Sequence, residues 1–137
     1  MTIITRLHDG ARIETIIEGR FTIESDQPAP IGEDQAPSPF DVFLASVAAC
    51  TGYFAQRYCR KWKLPHEGIE VVLEPVWGER HSLERIRMSL VVPPGFPAEH
   101  REGLLRNAGH CPVKKVLETS PPVELTLAEA AIAPQAV

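Results

Sequence analysis

Two of the three cysteines stand in settings that suit a reacting thiol, and they lie 61 positions apart. Cys50 closes the run Ser38-Pro39-Phe40-Asp41-Val42-Phe43-Leu44-Ala45-Ser46-Val47-Ala48-Ala49-Cys50, which has the character of the first half of a buried helix. Cys111 stands in His110-Cys111-Pro112-Val113-Lys114-Lys115-Val116-Leu117. There Pro112 suits a first helical position and Cys111 takes the cap. A helix N-terminus, His110 before the thiol and two lysines after it all favour the thiolate. Burial among apolar neighbours raises a thiol pKa, so Cys50 reacts only if a cation or a donor lies beside it. From these residues alone Cys50 is equally a small core residue, and Cys111 an inert cap.

The third cysteine separates from the pair on geometry. Cys59 follows Cys50 by nine positions on the same expected helix, a rotation of ~900° and a rise of ~13.5 Å. The two face opposite sides, and a disulfide needs Cα atoms within ~7 Å, so Cys59 reads as a bystander. There is no C-x-x-C, and His8, His66, His81, His100 and His110 share no ligand spacing, so neither a metal nor a bound cofactor is expected. No G-x-S-x-G surrounds Ser38 or Ser46, and the glycines make no phosphate loop.

The elements that must position the thiols are legible in the periodicity. Three short antiparallel strands are expected around Ile3-Ile4-Thr5, positions 13–17 and Phe21-Thr22-Ile23, with Asp9-Gly10 as a hairpin turn. Positions 26–37, with three prolines and a glycine, form a loop long enough to suggest a role of its own. Ser38-Pro39 opens a helix with Asp41 in its first turn. Positions 40–54 are apolar on nearly every side, which predicts burial on every side. The basic run Arg57, Arg60, Lys61 and Lys63 complements the helix C-terminus. Positions 68–76 and 83–92 alternate as a hairpin, with glutamates opposed to arginines on its wet face. A helix from Pro97 to about Ala108, with Leu104 and Leu105 inward, precedes the Cys111 helix. Val123-Glu124-Leu125-Thr126-Leu127 alternates as a closing strand, and positions 130–137 form a tail. The order is β-β-β-α-β-β-α-α-β.

At 137 residues, with 44% hydrophobic and 23% charged, the chain has the composition of one globular domain. It divides into N-terminal strands and loop (1–37), a central helix (38–64) and a C-terminal α/β portion (66–130). A net charge of −4 with 14 lysines and arginines leaves no basic footprint for nucleic acid, and 7% aromatics leave no stacking platform. The 16-residue apolar stretch at 40–55 would span roughly 24 Å as a helix, short of a ~30 Å hydrocarbon core. The opening residues lack a signal-peptide pattern, so a cytoplasmic location and no membrane association are expected. An odd cysteine count in a reducing compartment argues against a disulfide framework.

Ser38-Pro39-Phe40-Asp41 through Ala48-Ala49-Cys50-Thr51, then Trp62-Lys63-Leu64-Pro65, Gly68-Ile69-Glu70-Val71 and His110-Cys111-Pro112-Val113-Lys114-Lys115-Val116-Leu117, resemble the OsmC/Ohr family. Asp26-Gln27-Pro28 resembles a D-E-P found ahead of the first motif in one branch, and the resemblance spans about residues 24–127. It implies an α+β fold, built as an intertwined homodimer with long central helices packed on antiparallel sheets. It further implies a thiol peroxidase acting on organic hydroperoxides, with Cys50 as the peroxidatic thiolate and Cys111 as the resolving thiol. An external dithiol reductant would restore both thiols, with no cofactor. Studied peroxidases of the family pair the first cysteine with an arginine and with a glutamate after the proline. Here Phe40 and then Asp41 follow Pro39, and Arg20 is the nearest arginine, so Asp41 and Arg20 are the supporting candidates. Without that pair, the same resemblance admits a non-catalytic dimer binding an apolar or electrophilic small molecule at the subunit interface.

Overall fold

The computed structural model describes residues 1–130 of the chain. Strands β1 (Ile3–Leu7), β2 (Ile13–Ile17) and β3 (Phe21–Ser25) form an antiparallel meander. Helix α1 (Pro39–Lys61) follows, then the hairpin β4 (Glu70–Trp77) and β5 (Leu83–Val91), helix α2 (Ala98–Ala108) and helix α3 (Pro112–Thr119). The architecture is α+β with two antiparallel sheets, in the expected order as far as α3.

Helix α1 starts where Ser38-Pro39 places it. Ser38 Oγ accepts the Asp41 N–H at 3.1 Å, and an Asp41 carboxylate oxygen accepts the Ser38 N–H at 3.0 Å. This reciprocal box satisfies two otherwise orphaned donors. Val47, Thr51, Ala55 and Cys59 recur every four residues along α1 and form its buried line. Ala55 and Cys59 join Phe96, Leu104 and Ala108 in the core between α1 and α2. Gly103 permits that approach: a Cβ there would collide with the Tyr58 hydroxyl, which shares a 2.8 Å hydrogen bond with His100 Nδ1.

Three expectations about burial are corrected. The apolar stretch of α1 is covered by its own chain on one side only; Tyr53 remains 52% exposed and Phe40 43%. Leu105 points outward at 64% exposure while Leu104 is buried, because the face of α2 turned to α1 runs through Leu104 and Ala108. Residues 123–127 form no strand, and Val123, Leu125 and Leu127 are more than nine-tenths exposed. Their alternation is real, but no edge of either sheet in this chain pairs with them. Of the expected tail only Ala130 is described; 131–137 lie outside the described residues.

The N-terminal meander also leaves one face uncovered. The register pairs Ile3 with Ile17, Leu7 with Ile13 and Ile17 with Phe21, which puts these side chains on one face. Ile3, Leu7 and Phe21 are exposed there. On the opposite face Arg6 pairs with Glu14 at 3.8 Å, and Arg12 reaches Glu24 at 3.6 Å.

Asp26 folds the loop at 26–37. Its buried carboxylate accepts N–H bonds from Gln27 (2.8 Å), Glu33 (3.3 Å) and Gln35 (3.2 Å). These backbone donors, with a smaller contribution from Arg12, hold its pKa below the ordinary 3.8 despite burial. A depressed native pKa means stability that is complete above the unfolded value and is lost as pH falls through the native one. Acid should therefore loosen this loop below about pH 4, read as amide exchange at Glu33 and Gln35. Asp26→Asn should remove that pH dependence and lower the melting temperature. A wild-type acid profile retained in Asp26→Asn would refute the assignment. Gly32 is required beside it, since a Cβ would strike the Gln27 carbonyl and the Asp26 carboxylate.

Candidate active site

Helices α1 and α3 bring Cys50 and Cys111 together. The two thiols are close enough to shift each other's pKa, and neither is in a disulfide. Cys50, midway along α1, is half-buried; Cys111, ahead of Pro112, is fully buried. Cys59 lies in the core with a pKa raised by burial, and it stands apart from the pair.

The pair is electrostatically asymmetric. Burial pushes the Cys111 thiol up, but the nearby Cys50 thiol, the Lys114 and Val113 N–H groups and the Thr51 hydroxyl outweigh it. The net pKa of Cys111 is lowered from the ordinary 9.0. Its sulfur faces the first turn of α3 without closing a capping hydrogen bond. For Cys50, burial, donation to Cys111 and the charge of Cys111 all raise the pKa, against a single opposing Val113 N–H. Of the two thiols, Cys111 is therefore the more readily deprotonated.

The sources of this asymmetry differ from those expected. Neighbouring cations do not supply it: His110 is exposed, and Lys114 pairs with Glu118 at 3.9 Å. The groups that lower the Cys111 pKa are the Cys50 thiol, the first N–H groups of α3 and Thr51, whose hydroxyl donates to the Val47 carbonyl at 3.1 Å and lies 3.6 Å from Met88 Sδ. Thr51 was not singled out in the sequence; its position directly after Cys50 was the available signal.

The two supporting candidates lie elsewhere in this chain. Asp41 is engaged in the α1 capping box, two and a half turns before Cys50 and on the opposite side of an ideal helix. Arg20 sits in the β2–β3 turn with its guanidinium 4.8 Å from the Phe21 ring centre. Among the described residues no group of three or more His, Cys, Asp or Glu gathers as a metal site, and no helix is long and apolar enough to cross a membrane.

A recess of about 260 Å³ is lined mainly by apolar groups including Val71, Met88, Leu90 and Leu105, together with Thr51 and Lys114; neither cysteine lines it. A second cleft, of about 430 Å³, lies between α1 and the α2–α3 junction and is lined by Phe54, Arg57, Tyr58, Lys61, Asn107, His110 and Lys115.

A family model described as OsmC-like protein matches residues 32–126. No curated protein matches the chain significantly. Solved structures do. One, from Psychrobacter arcticus and named for osmotic-stress induction and detoxification response, has a TM-score of 0.73 at 19% identity, covering 84% of this chain and 86% of that one. An OsmC-like protein from Mycoplasma pneumoniae gives 0.71 at 14% identity, over 85% and 86%. The organic hydroperoxide resistance protein OhrB of Bacillus subtilis gives 0.53 at 22% identity, over 84% and 87%. At these identities the structures establish a shared fold.

Proposed function

The chain belongs to the OsmC-like family, and from that premise we propose that it is a thiol peroxidase reducing organic hydroperoxides through Cys50 and Cys111. The observation that carries the reading is the approach of two free thiols, from residues 61 positions apart, close enough to shift each other's pKa. The structure of a relative named for organic hydroperoxide resistance shares the fold. The apolar recess beside Thr51 suits an alkyl substituent.

The asymmetry of the pair gives each thiol a task. The Cys111 thiolate takes the proton of Cys50, whose sulfur then attacks the terminal peroxide oxygen. The O–O bond breaks, Cys50 becomes a sulfenic acid, and the alkoxide leaves with the proton held by Cys111 as the alcohol. Cys111, again a thiolate, attacks the Cys50 sulfur; hydroxide departs, takes a solvent proton and forms water. The peroxide has gained two electrons, and the pair has become a disulfide. A soluble dithiol reduces it by exchange. This cycle fits a cytoplasmic location, where the resting thiols stay reduced.

The functional unit in this proposal is a homodimer. The open apolar faces of α1 and of the N-terminal meander support it, and Arg20 lies on the meander, at the edge that a second copy would approach. To test the peroxidase, reduced protein is titrated with an alkyl hydroperoxide and free thiols are counted. Two thiols per chain should disappear, with Cys59 retained. No loss, or the same loss in Cys50→Ser, would sink the proposal.

No lysine or arginine acts on Cys50 among the groups that shift its pKa. That observation favours a second reading, a non-catalytic dimer binding an apolar or electrophilic molecule. Hydroperoxide inertness, together with ligand binding that survives Cys50→Ser, would select it.

A further inference from the structure

Met88, the one methionine apart from Met1, stands on β5 opposite Leu73 and is only partly buried. It lines the apolar recess of about 260 Å³ that contains Thr51, and also a neighbouring recess of about 340 Å³ between β5 and α2. The two recesses share Met88, Ser89, Leu90 and Leu105. A methionine in a core is ordinarily a flexible gap-filler. This one borders open space on both sides instead of filling it, and its Sδ lies 3.6 Å from the Thr51 hydroxyl oxygen.

Thr51 has one hydroxyl proton and two acceptors within reach, the Val47 carbonyl at 3.1 Å and Met88 Sδ at 3.6 Å. The carbonyl wins that competition, because a thioether accepts only weakly. Adding an oxygen to the sulfur reverses the order. A sulfoxide is polar, and its oxygen is the stronger acceptor of the two sulfur states. From the present position of Sδ, that oxygen would reach the buried Thr51 hydroxyl directly.

We propose that Met88 is an oxygen-accepting site: an apolar alkyl hydroperoxide that enters the recess oxidises its thioether to the sulfoxide, which then captures the Thr51 hydroxyl. The sulfur lone pair attacks the terminal peroxide oxygen, and the S–O bond forms as the O–O bond breaks. The hydroperoxide proton passes to the departing alkoxide and gives the alcohol. The sulfur is oxidised by two electrons and the peroxide reduced by two. Negative charge grows on the oxygen arriving at sulfur, and Thr51 is the donor placed to meet it. This chemistry needs neither cysteine, so it stands or falls separately from the peroxidase reading. Its effect reaches the thiols through Thr51, which follows Cys50 on α1 and is among the groups that lower the Cys111 pKa. A hydroxyl turned to the sulfoxide no longer serves Cys111.

The experiment uses Cys50→Ser, which lacks the attacking thiol, with an added methionine peptide as the reference thioether. With cumene hydroperoxide, mass spectrometry of digests should show Met88 sulfoxide forming about ten-fold faster than peptide sulfoxide, because apolar contact concentrates the oxidant in the recess. With hydrogen peroxide, which has no apolar group, the ratio should fall to about one or below. Thr51→Val should slow oxidation of Met88 by cumene hydroperoxide about ten-fold, the worth of one hydrogen bond. Thr51→Ser, which keeps the hydroxyl, should retain most of the rate. Circular dichroism verifies that each variant folds, and Thr51→Ser against the parent decides the matter if Thr51→Val does not. Dithiothreitol then restores the thiols but leaves the sulfoxide. Thiolate absorbance of the oxidised protein should titrate at higher pH than before oxidation, and Met88→Leu treated identically should show no such shift. Oxidation of Met88 no faster than of the peptide, a rate indifferent to Thr51, or an unmoved titration overturns the proposal.

Discussion

Cys50→Ser should abolish hydroperoxide turnover, lowering the rate at least about a thousand-fold, because the attacking atom is gone. Cys111→Ser should have a less obvious double effect. It blocks disulfide formation, so a dimedone-trappable sulfenic acid accumulates on Cys50 after one equivalent of peroxide. It should also slow that first oxidation by about a hundred-fold, since loss of a positioned proton acceptor costs that much. The reason is that no cation offsets the burial that raises the Cys50 pKa, while that of its neighbour Cys111 is lowered. In the wild type, the rate of the first oxidation should rise with pH through an inflection below the ordinary thiol value of 9.0, set by Cys111. Without Cys111 the inflection should move upward, toward the value of a desolvated Cys50 thiol. Stopped-flow measurement across pH checks both. If Cys111→Ser reacts as fast as wild type at neutral pH, Cys50 is activated by some other group.

Sedimentation of the wild-type chain should give about twice the mass of its 15.1 kDa protomer. The register places Ile3, Leu7, Ile17 and Phe21 on one face, and among the described residues Ile3, Leu7 and Phe21 remain exposed there. A large uncovered apolar face of this kind marks an association surface. Burial of each such side chain contributes about 2 kcal/mol, so Leu7→Asp with Phe21→Asp should weaken association about a thousand-fold. Arg6→Ala alters the charged face and should leave the mass unchanged. A wild-type protein that is monomeric at micromolar concentration, or a dimer unaffected by both aspartates, contradicts the homodimer. Because Arg20 belongs to the same meander, the double variant should also lower peroxidase activity if that guanidinium serves a site across the interface.

What the sequence made legible depended on whether the signal was local. Ser38, Pro39 and Asp41 define the start of α1 through neighbouring atoms alone, and the reciprocal bonds form accordingly. The alternation at 70–77 and 83–91 produces the β4–β5 hairpin for the same reason. Leu105 was misplaced because two adjacent leucines cannot be assigned to a face until the packing partner of α2 is known. The alternation in Val123, Leu125 and Leu127 is a strand signal for which no partner edge is found among the described residues. At the thiol pair, the sequence allowed Cys50 and Cys111 to meet, but only the docking of α3 on α1 sets the pKa of Cys111 below its ordinary value and that of Cys50 above it. The cationic cleft was hidden differently. Arg57 and Lys61 read as ordinary helix-end charges until His110 and Lys115 are seen across from them.

The meeting of α1 and α3 carries a last consequence, for chain topology. Helix α3 is weakly held, with no buried residue in its own span and Val116 half exposed. Closing Cys50 to Cys111 would turn the intervening segment into a ring that includes the β4–β5 hairpin and α2. Loop-closure entropy for a ring of this length amounts to about 4 kcal/mol taken from the unfolded ensemble. The oxidised protein would then be both a chemical intermediate and a circularly stapled chain, and its reduction would loosen α3. The catalytic cycle would thus be visible as a swing in melting temperature, with no chromogenic substrate required.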